Sequence, residues 1–287
     1  MIVNAYLLLA DDSWLDRSLR NYYPFIHRIT ACYDENSRGF TGCPIDITPA
    51  RQTLQRCDTG TKVQWLSAPF YRSELSPLEV ETKMRETGLA EAGSGADWII
   101  QLDNDEILPD PDALRTALIM ADSLGAIAIE WPMRTFFRQL SDSQFLEVCG
   151  KNGESSYSYQ GAIAVRPGVQ LVLARWVKTP RLRFITPELQ HNLLASEAAL
   201  SDPQVIPITA IQPDQAIWHF SWARSEDNLR TKLQCWGHAH QFNGRRYMQR
   251  IWRPSDRNWP KMKDFHPFLR DHWPALKCTT LKLSELK

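Results

Sequence analysis

Two hydrophobic periods alternate along this chain, and the switches between them mark its elements. Short apolar runs stand at Ile2 to Ala10, Phe25 to Tyr33, Val63 to Leu66, Trp98 to Leu102, Ala126 to Pro132 and Gly161 to Val165. Runs of this length suit strands covered on both faces. Between them apolar residues recur at helical spacing: Trp14, Leu15, Leu19, Tyr22 and Tyr23 define one helix, Leu78 to Ala92 a second, and Ala113 to Leu124 a third. Asp11-Asp12-Ser13 can cap the first, Gly93-Ser94-Gly95 stops the second, and Asp110-Pro111-Asp112 caps the third. Residues 41–60 read as loop and short helix. Met133 to Gly161 mixes apolar, aromatic and polar residues and predicts a β-rich excursion. Arg181 to Phe184 predicts another strand, and Thr186-Pro187-Glu188 a helix with proline at its first position. Ile217 to Trp222 is a short aromatic strand, and Ser225-Glu226-Asp227 caps a helix from Asn228 to about Phe242. The rest is basic, rich in tryptophan and proline, and predicted to be irregular.

Strands alternating with helices predict an α/β fold, with a mixed sheet flanked by helices. With 287 residues, the chain suits a core over 1–212 and a helical or irregular extension over 213–287 packed on it. The β-α-β opening has the outline of a nucleotide-binding half-fold, yet holds neither a G-x-G-x-x-G nor a Walker lysine loop. Net charge is zero, so nucleic acid is not an expected partner. The charge is unevenly placed, however. Residues 71–114 carry eleven acidic and three basic side chains, and residues 218–270 eleven basic and four acidic ones. The two regions either face one anionic ligand from opposite sides or form separate solvated surfaces. The six cysteines include no C-x-x-C pair, which argues against zinc and for reduced thiols. The apolar start lacks a basic n-region and is broken by Asp11-Asp12, so it reads as a strand and not as a signal peptide. No run reaches the roughly 18 apolar residues of a membrane span. A cytoplasmic protein is expected, with contact at a membrane surface as its furthest membrane role.

The stretch Ala96 to Pro109 organises these elements. A buried strand, Trp98-Ile99-Ile100-Gln101-Leu102, runs into Asp103-Asn104-Asp105-Glu106. Carboxylates at the carboxyl end of a parallel strand lie where open α/β sheets bind ligands, and their oxygens suit Mg²⁺ or Mn²⁺. The competing reading is a polar turn, which also favours Asp.

Three segments carry a resemblance to GT-A-fold glycosyltransferases of the family 2 type, over roughly residues 1–222. The first is the opening strand and helix followed by Asp34-Glu35-Asn36-Ser37, which alters the usual Asp-Gly-Ser. The second is Gly88 to Ala92 leading through Ala96 to Leu102 into the Asp103-x-Asp105 block. The third is Trp218-His219-Phe220-Ser221-Trp222, similar to a tryptophan-histidine segment after the core of several GT-A enzymes. The resemblance implies a metal-dependent, inverting hexosyl- or N-acetylhexosaminyl-transferase. Its donor would be a UDP- or GDP-sugar, and its acceptor a hydroxyl of a glycan, lipid-linked or small molecule. Asp105 would hold Mn²⁺ or Mg²⁺ against the donor diphosphate, Asp103 the ribose or the metal, and His219 would be a third metal or diphosphate contact. Asp34 would meet the nucleoside, and Arg85 or Lys83 the base or diphosphate. Glu188, about 85 residues past Asp103, is the expected general base, with Asp214 and Asp202 as competitors.

Glu130 and Trp131, at the end of the next strand, can line an acceptor pocket, since a tryptophan face stacks on a sugar; a core position suits Trp131 equally. The tail, with Trp222, Trp236, Trp252, Trp259 and Trp273 among arginines and lysines, can dock on an anionic membrane, close over the donor, or pack on the core. Two rival readings keep the nucleotide fold. A nucleotidyltransferase usually has a glycine-rich loop after strand one, where this chain has Ala10-Asp11-Asp12-Ser13. A non-catalytic nucleotide-sugar-binding module would have a broken carboxylate pair, and here the pair is intact.

Overall fold

The computed structural model describes residues 1–186 and 202–283. In chain order its strands are β1 (Val3–Leu8), β2 (Ile29–Asp34), β3 (Val63–Ala68), β4 (Trp98–Ile100), β5 (Glu106–Ile107), β6 (Ala128–Glu130), β7 (Met133–Gln139) and β8 (Gln144–Cys149). There follow β9 (Tyr157–Ser158), β10 (Ala162–Val165), β11 (Leu171–Leu173), β12 (Trp176–Val177), β13 (Arg181–Ile185), β14 (Val205–Thr209), β15 (Ile217–His219) and β16 (Ala275–Thr280). The longer helices are α1 (Leu15–Tyr22), α2 (Thr48–Cys57), α3 (Pro77–Ala92), α4 (Pro111–Ser123) and α5 (Glu226–Cys235).

Eight strands form one mixed sheet in the order β14-β13-β6-β10-β4-β1-β2-β3. Within it β1, β2, β3 and β4 are mutually parallel, and β10 runs against both of its neighbours, β4 and β6. The expected α/β class, a large mixed sheet flanked by helices, is therefore present. The strands alternate their side chains between two cores. Val3, Ala5 and Leu7 of β1 and Trp98 and Ile100 of β4 pack with Leu15 and Leu19 of α1 and Leu114 and Leu118 of α4. On the other face Tyr6 and Ile99 pack with Met84, Leu89 and Ala92 of α3. Both faces are covered, which is why these strands are apolar without interruption.

A second sheet, β16-β8-β7-β15-β5 with β9 beside β7, draws strands from either side of residue 213. The tail predicted to be irregular thus supplies an edge strand, β16, which pairs with β8 along its whole length from Ala275↔Cys149 to Thr280↔Gln144. Around it Trp222, Trp252, Trp273, Phe265 and Tyr247 form an aromatic core of their own with Phe137. The helix starts follow local chemistry. Ser76 and Glu79 make a reciprocal capping box, Asp110 accepts from the Ala113 N–H, and Ser225 accepts from the Asn228 N–H. Among the described residues, no helix is long and apolar enough to cross a membrane.

Candidate functional site

The carboxyl ends of β1, β2 and β4 open onto a cleft of about 420 Å³, the position at which open α/β sheets take ligands. The segment between β4 and β5 forms its floor and is pinned from below. Ser18 Oγ on α1 donates to the Glu106 carbonyl at 2.7 Å, and Asn21 Nδ2 donates to the Leu108 carbonyl at 2.7 Å. The Asp103 N–H donates to Glu106 Oε2 at 3.1 Å, and the Glu106 N–H donates back to the Asp103 carbonyl at 3.0 Å. Asn104 Nδ2 reaches the Asp11 carbonyl after β1. Each backbone group so used is one fewer left to water, so the loop is tied to α1 and to itself at several points.

The carboxylates on this loop are all met by cations. Arg85, on the buried face of α3, lies 3.0 Å from both oxygens of Asp103, and its Nε lies 3.0 Å from Glu81. Asp105 Oδ2 accepts from Arg224 at 2.5 Å and from Lys232 at 3.0 Å. Arg224 also holds Asp11 at 2.5 Å, and Lys232 donates to Ser221 Oγ at 2.6 Å. Glu106, fully buried, makes a two-pronged pair with Arg175. Burial raises the Asp103 and Asp105 carboxyls, but neighbouring charges more than reverse this. Arg85 and Arg175 hold Asp103 below the usual carboxylate range, and Lys232, His219 and Arg224 do the same for Asp105.

His219 arrives by strand pairing. In β15 it sits opposite Glu106 of β5, with Nε2 3.7 Å from Asp105 and 4.0 Å from Glu106. These separations exceed a hydrogen bond. Burial lowers the imidazole pKa, and the Nδ1 atom is buried with no hydrogen-bond partner. The expected set for Mn²⁺ or Mg²⁺, Asp103 and Asp105 with His219, does not fit as arranged. Both oxygens of one carboxylate and one of the other are already engaged by guanidinium or ammonium groups. Among the described residues, no group of three or more His, Cys, Asp or Glu is placed to hold a metal.

The other expected site residues separate into those on the cleft and those away from it. Asp34 lines the cleft, but its carboxylate also closes a turn. It accepts from Asn36 and Arg38 N–H at 2.9 and 3.3 Å, and from Tyr71 N–H at 2.9 Å. Lys83 is exposed on the outer face of α3 and does not line the cleft. The expected acceptor pair lies away from the cleft. Glu130 is fully buried between Arg181 and Arg183, 2.6 Å from the Nε of each, and Trp131 is buried against Phe184 with Nε1 donating to the Gln215 carbonyl. Asp214 is exposed in the turn Pro213–Gln215, and Asp202 pairs with Arg181; neither lines the cleft, so neither fits the part of base. Glu188 lies outside the described residues.

Arg224, Lys232, Arg175 and Asp11 were not singled out by sequence reasoning. A signal did exist for Lys232. Asn228, Thr231, Lys232 and Cys235 recur at i, i+3, i+4 and i+7 along α5 and line the cleft, while Leu229 and Leu233 bury in the aromatic core. The acidic centre and basic C-terminal region noted in the sequence meet here.

No protein-family model matches this sequence, and no curated protein matches it. Solved structures that resemble it include 4-diphosphocytidyl-2C-methyl-D-erythritol synthase from Anaerococcus prevotii, at 10% identity and TM-score 0.36, covering 83% of this chain and 95% of that one. Another is CMP:2-keto-3-deoxy-manno-octonic acid synthetase complexed with CTP, at 11% identity and TM-score 0.35, covering 73% and 91%. A third is mannose-1-phosphate geranyltransferase from Thermus thermophilus, at 14% identity and TM-score 0.29, covering 58% of this chain and 51% of that one.

Proposed function

We propose that this chain is a transferase that binds a nucleoside-diphosphate sugar in the cleft and passes the sugar to an acceptor hydroxyl. One observation carries the reading. At the carboxyl ends of parallel strands, a single cleft combines an apolar wall with a charged one. Phe40, Ile45, Ile47 and Pro49, in the segment after β2, supply a surface for a base, while Arg224 and Lys232 supply cations for a diphosphate. Asp34 and Asp103 line the same cleft, and hydroxyls of a ribose can donate to their carboxylate oxygens. Transfer breaks the bond from the anomeric carbon to the diphosphate oxygen and forms one from the acceptor oxygen. The acceptor proton passes to a general base, for which we propose Glu188.

Nucleotidyl transfer from a nucleoside triphosphate is the second reading. The loop after β1, Leu9 to Ser13, weighs against it: it holds no glycine and presents Asp11, a carboxylate, where a triphosphate needs N–H donors. The testing experiment is a thermal-shift and calorimetric screen of nucleoside diphosphates, nucleoside-diphosphate sugars and triphosphates. Stabilisation by a diphosphate and its sugar supports the proposal. Stabilisation by triphosphates alone moves it to nucleotidyl transfer, and no response to any nucleotide ends it.

A further inference from the structure

We propose that Arg224 and Lys232 supply the positive charge that a divalent ion would bring to Asp105, so that donor binding and leaving-group departure here need no metal. The inference rests on the diphosphate reading above and concerns what holds the diphosphate.

Four observations converge on it. First, Asp105 Oδ2 is occupied by Arg224 at 2.5 Å and Lys232 at 3.0 Å, and its other oxygen faces His219. Arg224 is shared with Asp11, so the two monocations balance the two carboxylates Asp11 and Asp105. A metal added there would face both cations at close range in a buried site, where like charges are poorly screened. Second, Asp103 adds no uncompensated charge, since Arg85 lies 3.0 Å from both of its oxygens. Third, Lys232 retains an unused donor. An ammonium group has three N–H bonds, and Lys232 spends two of them, on Asp105 and Ser221. Its side chain is 19% exposed and lines the cleft, so the remaining donor is available to a ligand. The Arg224 side chain is 1% exposed, so it acts on a ligand through its charge and not through a free donor. Fourth, the pair is firmly mounted. Arg224 is fixed by Asp11 and Asp105, and Lys232 stands on the cleft face of α5, whose opposite face is anchored by Leu229 and Leu233.

In the transfer step the electron pair of the breaking anomeric C–O bond stays on the diphosphate. The charge that develops there is met by donors already in place, which is how preorganised side chains lower a barrier. A guanidinium and an ammonium ion do this without the dehydration that a hexahydrated Mg²⁺ resists.

The test uses the full-length protein with UDP and GDP as probes, in EDTA and in added Mn²⁺. The expected result is equal affinity in the two conditions. Lys232→Met should weaken binding about tenfold or more, the loss of one charge-assisted hydrogen bond, and Lys232→Arg should keep most of it. Circular dichroism checks that each variant is folded. Should Lys232→Met fail to fold, Lys232→Gln and the wild-type EDTA arm decide. Affinity that collapses in EDTA and returns with Mn²⁺ overturns this inference and leaves the diphosphate reading standing. Binding unaffected by removal of the Lys232 charge also overturns it. No nucleotide binding in either condition ends both.

Discussion

Lys232 Nζ lies 3.0 Å from Asp105 Oδ2, across 127 residues of chain. The contact joins the loop after β4 to α5, and with Arg224 it makes Asp105 the meeting point of the two charged regions. Asp105→Asn would leave Arg224 buried with one counterion fewer and Lys232 without its carboxylate. Breaking a buried pair from one side typically removes about 3–5 kcal/mol. Lys232 is partly exposed, so the lower end of that range is expected in urea unfolding. The double variant Asp105→Asn/Lys232→Met should recover part of the loss, because it removes the stranded cation. A loss below about 1 kcal/mol for the single variant would show that the cations are indifferent to Asp105.

Glu130 makes the complementary prediction. It is fully buried, with Arg181 and Arg183 each 2.6 Å away. Glu130→Gln should lower stability by about 3 kcal/mol or more, by the same one-sided loss. Because the side chain does not line the cleft, KM for the acceptor should stay unchanged in the folded protein. A raised acceptor KM at unchanged stability would return Glu130 to the acceptor site.

The difference between Asp105 and Glu130 shows how much the sequence could say. Local chemistry was legible. The apolar run Trp98 to Ile100 became a strand buried on both faces, and Asp110 and Ser225 cap helices through contacts three residues away, whereas α1 has Trp14 at its N-cap, with no side-chain cap from the expected Asp11-Asp12-Ser13. Asp103 and Asp105 lie beyond the end of β4, as the apolar run before them implies, and His219 lies opposite Glu106, a pairing that the resemblance and not the periodicity suggested. The identity of the opposing cation was not legible. A carboxylate pair attracts a guanidinium as readily as a divalent ion, and the deciding partners lie 119 and 127 residues away. The same distance hid β16. Its alternation of Leu276, Cys278 and Thr280 is a strand signal, but an edge strand is defined by the partner it finds, here β8.

Gly88 tests how α3 sets the site. A Cβ there would lie 2.1 and 2.3 Å from ring atoms of Tyr6, which is buried in β1 beneath the helix. Alanine gains about 1 kcal/mol in helix propensity, but forcing a methyl group into a closed core loses about 1–3 kcal/mol. With contacts this short the second effect should win, so Gly88→Ala is expected to lower the melting temperature. Arg85 sits one turn earlier on the same buried face, so lifting α3 should also loosen the Arg85–Asp103 pair and weaken nucleotide binding. Tyr6→Leu in the same chain should relieve both. Gly88→Ala at wild-type stability would mean that the helix is free to shift.

Stability should fall as pH drops through the histidine range. Burial lowers the pKa of His219, His266 and His272, with His266 taken from 6.5 to about 3 and His272 and His238 adding to its shift. The unfolded chain therefore binds protons on these residues at a pH where the folded chain does not. Stability must then rise with pH across that window and be lost as pH falls from 6.5 toward 3. The carboxylates Asp103 and Asp105 act in the same sense lower down. Their folded values are depressed, so their contribution is present above an unfolded value near 3.8 and is lost as pH falls through the folded ones. Urea unfolding at pH 7.5 and at pH 4.5 measures the slope, and His266→Phe should flatten it by keeping the ring in its contacts with Trp273 and Phe268 while removing the proton site. A slope equal to wild type in His266→Phe would assign the acid sensitivity in this window to His219 and His272.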